Sequence, residues 1–253
     1  MPACLVHALD YTRGLALTVR NLCLAEEEHL DLFTLCSSCF GNLSRAKYLL
    51  ESDKGLRKEV NRILAEVGRE YKGEVEVKHV ITVLHDDITP RKLSGFLEKR
   101  LTNVKTAAFY GCHMFLPHKY SMFDDPEFPH KLDRLIEVTG AESIDYENKT
   151  NCCIGCGSFF GGVSEDASTR LADQIVGSAK KRDVDCIVAT CPFCIMQLEL
   201  SQLRIERSGG EPYRMPILHY VELLGLALGL DEKALGLDLR RIDPTPLLEK
   251  VRR

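Results

Sequence analysis

Eleven cysteines, most of them at short spacings, constrain this 253-residue chain more than any other feature of its sequence. Three groups stand out: Cys112 alone, the adjacent pair Cys152 and Cys153, and the C-x-x-C pair Cys191 and Cys194. The N-terminus lacks a basic segment followed by an apolar one, so we expect no secretory signal and a cytoplasmic protein. In a reducing compartment, clustered cysteines indicate metal or redox chemistry rather than disulfides.

Charge and hydropathy exclude two further classes of protein. Lys and Arg total 33 against 37 Asp and Glu, a net charge of −4, so no global basic field is available to hold nucleic acid or an anionic membrane. The apolar stretch at 223–230 is far shorter than the roughly 20 residues that cross a bilayer. We expect neither a nucleic-acid partner nor a transmembrane segment.

Strand-like runs that lead directly into helical patterns predict an α/β fold with mainly parallel sheets flanked by helices. A strand at 184–190 precedes a helix at 192–207, and a strand at 29–35 precedes a C-x-x-C turn and a helix at 40–50. Ligands of open α/β sheets gather at the carboxyl ends of the strands, where the cysteine groups fall. The other predicted elements are strands at 104–110 and 215–219 and helices at 57–71, 90–101, 130–139, 167–182 and 221–229.

The number and spacing of the cysteines favour an iron–sulfur cluster over zinc. Thiolates are soft ligands that suit both, and a C-x-x-C turn opening a helix directs two sulfurs at one point. Zinc takes four ligands in a tetrahedron, whereas adjacent cysteines on an extended segment point to opposite faces. Five sulfurs with a vicinal pair therefore suit a multinuclear cluster better, and zinc stays open as an alternative.

The cysteines and the stretches around them resemble the CCG domain of the heterodisulfide reductase B subunit over nearly the whole chain. The stretches that carry the resemblance are EVGREYKGEVEVKH, FYGCH, CIVATCPFC and PILHYVELLGLALGL. The resemblance implies a catalytic iron–sulfur subunit that cleaves the disulfide of coenzyme M and coenzyme B in methanogenesis, with the iron–sulfur C subunit and the flavin-containing A subunit of heterodisulfide reductase as partners. It also implies a non-cubane [4Fe–4S] cluster whose ligands are Cys112, Cys152, Cys153, Cys191 and Cys194.

An internal repeat predicts that the first half of the chain holds an incomplete copy of this domain. Cys191 follows Cys153 by 38 residues, so the same spacing would place the partner of Cys36 before Met1. By the resemblance, Cys36 and Cys39 are ligands of a second cluster whose other ligands this sequence does not supply. We therefore expect two pseudo-repeated CCG-type domains, a partial one at 1–100 and a complete one at 101–253 with a C-terminal helical extension.

Two residues that depart from the family pattern and one histidine complete the set of candidate residues. The family usually continues its cysteine pair with glycine, whereas this chain has Ile154, a β-branched residue where glycine lets the backbone approach closely. Cys156 stands two residues further on as an added ligand or a coincidence. His113 is the candidate catalytic residue, because it follows Cys112 and could give a proton to a departing thiolate.

Two alternatives remain beside the disulfide reductase. In one, the CCG domain serves as an electron-transfer component of another oxidoreductase. In the other, the chain is a zinc-stabilised or inactive remnant, which the incomplete first domain and Ile154 favour. Cys23, in an apolar helix, and Cys186, in a strand core, are expected to be packed structural thiols, because free cysteine is among the most buried residue types.

Overall fold

The chain forms two compact units, each with its own parallel sheet. A computed structural model describes residues 9–115, 117–159 and 162–252. The N-terminal unit comprises residues 1–80 and 113–123, and the C-terminal unit comprises residues 81–112 and 124–253. The predicted division at residue 100 into two related domains stays a prediction.

Short strands alternate with longer helices along the described chain. A π-helix at Val83–Ile88 follows α4, and a 3-10 helix at Leu237–Leu239 follows α11. In chain order the elements are α1 (Tyr11–Glu27), β1 (Leu32–Thr34), α2 (Ser37–Ser52), α3 (Lys54–Ala65), β2 (Val77–His79), α4 (Val80–Thr82), α5 (Pro90–Ser94), β3 (Lys105–Phe109), α6 (His118–Ser121), α7 (Lys131–Val138), β4 (Glu142–Ser143), α8 (Gly155–Phe159), α9 (Glu165–Lys180), β5 (Cys186–Ala189), α10 (Pro192–Arg207), β6 (Ile217–His219), α11 (Tyr220–Ala227) and α12 (Thr245–Arg252).

In the N-terminal unit, α1, α2 and α3 pack together around an apolar core and beside a two-stranded parallel sheet. Strand β1 pairs with β2 in the register Leu32 to Val77. The core takes the apolar face of each helix, including Cys23, which is 1% exposed. The buried Glu26 carboxylate accepts three backbone N–H groups, from residues 72, 73 and 74, and so anchors the loop before β2.

The C-terminal unit is built on a four-stranded parallel sheet in the order β4-β3-β5-β6. Strand β5 reads Cys-Ile-Val-Ala and is buried at every position, as expected for a central strand covered on both faces. It pairs with β3 through Ala107 and Ile187 and with β6 through Ala189 and His219. Because all four strands run in the same direction, their carboxyl ends share one edge of the sheet.

The predicted α/β class with mainly parallel sheets is confirmed, and several predicted boundaries are wrong. The predicted helix at 90–101 ends at Ser94, because the N–H groups of Glu98 and Lys99 bond to the Ala227 carbonyl instead of continuing the helix. The predicted helix at 57–71 is α3, which begins after the Asp53 cap and ends at Ala65. No helix in the described part of the chain is long and apolar enough to span a membrane.

Some elements have no counterpart in the sequence prediction. Strands β2 and β4, of three and two residues, went unpredicted, as did the π-helix. The segment 118–129, for which no helix or strand is predicted, contains α6 and the buried Phe123. Leu230, at the end of the apolar stretch 223–230, is 51% exposed because α11 ends at Ala227 and Gly229 turns the chain at a φ of +78°.

Candidate functional site

Three loops that follow neighbouring strands of the C-terminal sheet meet at its carboxyl edge. Tyr110 to Cys112 follow β3, and Thr190 and Cys191 follow β5. The Thr190 hydroxyl donates to the Tyr110 carbonyl at 3.0 Å, and the Tyr110 N–H donates to the Lys149 carbonyl at 2.9 Å. These two bonds tie the ends of β3 and β5 to the loop that carries Cys152 and Cys153.

The sulfurs on these loops touch one another. Cys112 Sγ lies 3.3 Å from Cys152 Sγ, and Cys153 Sγ lies 3.1 Å from Cys194 Sγ. A further hydrogen bond joins the Cys194 and Cys191 thiols. All five side chains are free thiols. The five cysteines predicted from the spacing therefore form one group, which we call the thiol group.

Backbone amides of the same loop support the vicinal pair. The Ile154 N–H donates to Cys152 Sγ at 3.3 Å, and the Gly155 N–H donates to Cys153 Sγ at 3.4 Å. The turn that allows both bonds places Ile154 at a φ of +55°, in the left-handed region that glycine normally occupies. The departure from the family pattern at Ile154 therefore falls on a strained backbone position.

Hydrogen bonds within the thiol group shift the pKa values of its members in opposite directions. The hydrogen bond from Cys112, aided by the Ile154 N–H and opposed by burial, lowers the pKa of Cys152 to about 6. The same bond, with burial, raises the pKa of Cys112. Bonds to Cys153 and Cys191, followed by burial, raise the pKa of Cys194. The group thus favours a thiolate at Cys152.

Exposure differs across the thiol group. Cys153, Cys191 and Cys194 are buried, Cys112 is half-buried and Cys152 is exposed. Cys156, on the short helix α8, is half-buried and is close enough to Cys112 for its charge to raise the pKa of that thiol. The solvent side of the group is therefore the side of Cys152.

Two glycines let the backbone approach these sulfurs closely. Gly111 has a φ of +69°, and a Cβ placed there would lie 3.3 Å from Cys194 Sγ. A Cβ on Gly155 would lie 3.1 Å from the Phe193 carbonyl and 3.4 Å from Cys153 Sγ. Neither glycine is among the residues predicted from the sequence, although a glycine between a strand and Cys112 is a readable signal.

The thiol group suits a multinuclear cluster better than one metal ion. Among the residues that the structure describes, no three His, Cys, Asp or Glu side chains are arranged around a single point as ligands of one ion. Five soft sulfur donors, with two N–H groups aimed at them, exceed the four that tetrahedral zinc takes. Such a donor set fits an iron–sulfur cluster, whose ligands are thiolates and whose charge is tuned by hydrogen bonds to sulfur.

The other candidate residues lie in the N-terminal unit. Cys36 occupies the cap position of α2 and Cys39 lies in its first turn, and both are half-buried. His113 packs against the same helix, because a Cβ on Gly41 would lie 2.7 Å from the His113 carbonyl oxygen and 3.3 Å from its Cβ. Cys4 lies outside the described residues.

Burial separates the structural cysteines from these candidates. Cys23 and Cys186 are 1% and 0% exposed, as the sequence analysis expected of packed thiols. His219 also has a structural place: its Nδ1 accepts the Val221 N–H at 3.3 Å and its own N–H donates to Glu222 at 2.7 Å, which caps α11.

Comparisons with known proteins identify the family of this chain. The cysteine-rich domain family CCG matches residues 106–199, the span that contains the thiol group. The B subunit of the ferredoxin/F420H2-dependent CoB-CoM heterodisulfide reductase of Methanosarcina acetivorans is 37% identical over 96% of this chain and 81% of its own length. The 8-methylmenaquinol:fumarate reductase membrane anchor subunit of Wolinella succinogenes is 34% identical over 95% of this chain and 82% of its own length.

A solved structure supports the fold alone. A hypothetical protein from Helicobacter pylori superimposes with a TM-score of 0.71 at 14% identity. The match covers 92% of this chain but only 42% of the Helicobacter chain, so this chain spans less than half of that protein. The sequence relatives and the CCG match together identify the chain as a member of the family of heterodisulfide reductase B subunits.

Proposed function

We propose that this chain is the cluster-bearing subunit of a disulfide reductase complex of the CoB-CoM heterodisulfide reductase type. The observation that carries the proposal is the convergence of five thiols from three strand ends, within a family whose relatives are named for that activity. The proposed ligands of one non-cubane [4Fe–4S] cluster are Cys112, Cys152, Cys153, Cys191 and Cys194.

The chain's own groups are suited to hold such a cluster. The start of α10, a 16-residue helix, lies at Cys191 and favours negative charge on the two sulfurs of the C-x-x-C turn. The N–H groups of Ile154 and Gly155 offset charge on the vicinal pair. Burial of Cys153 and Cys194 keeps water from that side, whereas exposed Cys152 leaves a side from which a disulfide could approach.

The proposed reaction consumes two electrons and two protons. A disulfide RS–SR′ is cleaved to the thiols RSH and R′SH, and the proposed substrate is the disulfide of coenzyme M and coenzyme B. When bound, an iron–sulfur cluster supplies electrons one at a time. This chain shows no nucleotide-binding glycine motif. We therefore propose that the electrons come from two partners, the iron–sulfur C subunit and the flavin-containing A subunit of such a complex.

His113 is the proposed proton donor to the departing thiolate. It follows Cys112 directly in sequence, and its main chain is fixed against Gly41 on α2. An imidazole is suited to this role because its unperturbed pKa lies near neutrality. Replacement by Gln should lower turnover while leaving the bound iron unchanged.

Cys36 and Cys39 are proposed to belong to a second ligand set. Within the same proposal the chain has two related CCG-type domains, one at 1–100 and one at 101–253. The two cysteines begin α2 as Cys191 and Cys194 begin α10. We expect this pair to hold no cluster in the isolated chain.

A second candidate function is favoured by one comparison. The Wolinella fumarate reductase protein is nearly as similar to this chain as the heterodisulfide reductase proteins are. The same cluster site would then serve electron transfer in a complex that does not reduce disulfides. Turnover of the mixed coenzyme disulfide with a reduced low-potential dye separates the two functions, because only a disulfide reductase consumes that substrate.

The decisive experiment is to measure iron and acid-labile sulfide per chain after anaerobic purification, with electron paramagnetic resonance on the same sample. We expect about four iron and four sulfide, the content of one [4Fe–4S] cluster. About eight would mean that Cys36 and Cys39 recruit further ligands. Stoichiometric zinc without sulfide would contradict the proposal and favour a zinc-stabilised protein.

A further inference from the structure

One buried side chain beside the thiol group has a polar atom with no hydrogen-bond partner among the described residues. Tyr146 is 3% exposed, and its hydroxyl oxygen is inaccessible to solvent. The other two buried tyrosines of the C-terminal unit are satisfied: the Tyr110 hydroxyl donates to Asp133 at 2.7 Å, and the Tyr220 hydroxyl donates to the Leu135 carbonyl at 3.1 Å. The unsatisfied hydroxyl of Tyr146 therefore requires an explanation.

The backbone places Tyr146 at the edge of the sheet where the sulfurs lie. It follows β4 by three residues and precedes Cys152 by six. On one side the Ile144 N–H donates to the Thr106 carbonyl at 2.8 Å, and on the other the Lys149 carbonyl accepts the Tyr110 N–H at 2.9 Å. The segment that carries Tyr146 is thus held along the carboxyl half of β3.

Electrostatics also connect this phenol with the thiol group. Burial is the largest cause that raises the pKa of Tyr146, followed by the charges of Asp133, Asp145 and Cys194. The Cys194 sulfur therefore lies within electrostatic range of the hydroxyl without being hydrogen-bonded to it. A neutral phenol in this place is a donor that has no acceptor among the described residues.

We propose that Tyr146 is a positioning residue whose hydroxyl donates a hydrogen bond to an inorganic sulfide of the bound cluster. An unpaired buried hydroxyl destabilises the folded chain, and an anionic sulfur in the loaded protein would supply the missing acceptor. The inference rests on the proposed function, because it requires a cluster at the thiol group.

The bond would affect the reduction potential in a defined direction. Reduction adds negative charge to the cluster sulfurs, so a donor stabilises the reduced form more than the oxidised form and raises the potential. Tyr146→Phe removes only the hydroxyl and keeps the ring that fills the core. The variant should therefore hold the same amount of iron and sulfide as the natural chain and have a more negative potential.

The test is a potentiometric titration, followed by electron paramagnetic resonance, of the reconstituted natural chain and three variants. Tyr220→Phe controls for loss of a buried hydroxyl that already has a partner. Tyr71→Phe controls for loss of a buried hydroxyl without a described partner, since Tyr71 belongs to the core of the N-terminal unit. We expect a negative shift in Tyr146→Phe and the natural potential in both controls.

A second measurement distinguishes a hydroxyl that tunes the cluster's reduction potential from a ring that only packs in the core. In D₂O the natural chain should show an exchangeable deuteron coupled to the cluster spin that Tyr146→Phe lacks. The cluster-free variant should be no less stable than the natural chain, because it loses only an unpaired hydroxyl. Full cluster content with an unchanged potential in Tyr146→Phe would overturn the inference alone. Absence of iron and sulfide from the natural chain would instead overturn the proposed function, and the inference with it.

Discussion

The two C-x-x-C turns of this chain have the same local structure and different surroundings. Cys36 and Cys191 both cap a 16-residue helix that follows a parallel strand, with φ and ψ of −132° and 117° at Cys36 and −145° and 122° at Cys191. In neither turn does the cap side chain accept a hydrogen bond from an N–H of the helix that follows. The local sequence is therefore sufficient to form the turn in both units.

The surroundings of the turns depend on the sheets that carry them. Strand β5, before Cys191, has β3 on one side and β6 on the other, and the loops after β3 and β4 supply three more thiols. Within the described residues, β1 before Cys36 pairs with β2 alone. Cys191 and Cys194 are buried, whereas Cys36 and Cys39 are half-buried. The turn thus positions two sulfurs, and the neighbouring strand ends determine whether further thiols join them.

Removal of one sulfur from the thiol group and one from the N-terminal turn tests whether the two regions differ. We expect Cys153→Ala to lose all bound iron and sulfide, because it removes a buried proposed ligand that contacts Cys194. Cys39→Ala should keep the full content, and Cys23→Ala is the control for loss of a packed thiol. The measurement is iron and sulfide per chain after anaerobic reconstitution. Loss of half of the iron from Cys39→Ala would show that the two turns are equivalent.

A methyl group at Gly111 should disturb the complete site through its backbone. Alanine there must adopt a φ of +69°, at a cost of about 1–2 kcal/mol, and its Cβ would lie 3.3 Å from Cys194 Sγ. Gly68 is a matched control, since it has a φ of +70° and nothing within 4 Å of the added Cβ. Urea denaturation should show that Gly111→Ala and Gly68→Ala are both less stable than the natural chain. Only Gly111→Ala should lower the iron content. Equal iron content in both variants would remove Gly111 from the site.

The stability of the chain at alkaline pH should show that the Cys23 thiol is packed in the core of the N-terminal unit. Burial, with the charges of Glu26 and Glu27, raises the pKa of Cys23 from 9.0 to about 11. Between those values the unfolded chain has lost the proton that the folded chain keeps, so stability falls as pH rises, and below pH 9 there is no effect. The free energy of unfolding of the cluster-free natural chain should fall by about 2 kcal/mol more than that of Cys23→Ala over this range.

Urea titrations in reductant at pH 8, 9.5 and 11 measure this difference. Both proteins share every other titrating group, so the subtraction isolates Cys23. Parallel stability curves for the two proteins would mean that the Cys23 thiol ionises as easily in the folded chain as in the unfolded one. It would then not be the packed thiol that its burial indicates.

The parts of the fold that the sequence predicts are those in which a strand and its helix are contiguous. Strand β5 and α10 fall within the predicted ranges because an apolar run, a turn and a helical pattern follow one another without interruption. Strands β2 and β4 are too short to show periodicity, and their pairing partners lie 45 and 37 residues away along the chain. The early end of α5 depends on the Ala227 carbonyl, which no local pattern reveals.

The candidate site likewise has a part that the sequence predicts and a part that only the structure shows. Spacing alone identified the five cysteines, because ligands on C-x-x-C turns and strand ends are local signals. Tyr146 lies in a polar loop with no motif, and its significance depends on burial and on a missing partner. The placement of His113 beside Gly41 is likewise a tertiary contact. The chain's pattern thus predicts which sulfurs lie together, and only the structure shows what surrounds them.

Substitution of Ile154 tests whether the backbone turn beside Cys152 is strained. Its φ of +55° costs a β-branched residue about 1–2 kcal/mol, and Gly would relieve that strain while adding about 0.5–1 kcal/mol of unfolded-state entropy. We expect Ile154→Gly to raise the free energy of unfolding of the cluster-free chain by about 0.5–1 kcal/mol, measured by urea denaturation. Ile154→Ala is the control, because it shortens the side chain but keeps the Cβ that causes the strain. A gain in the Ala variant as large as in the Gly variant would assign the effect to side-chain packing, and the backbone turn around Cys152 would then be unstrained.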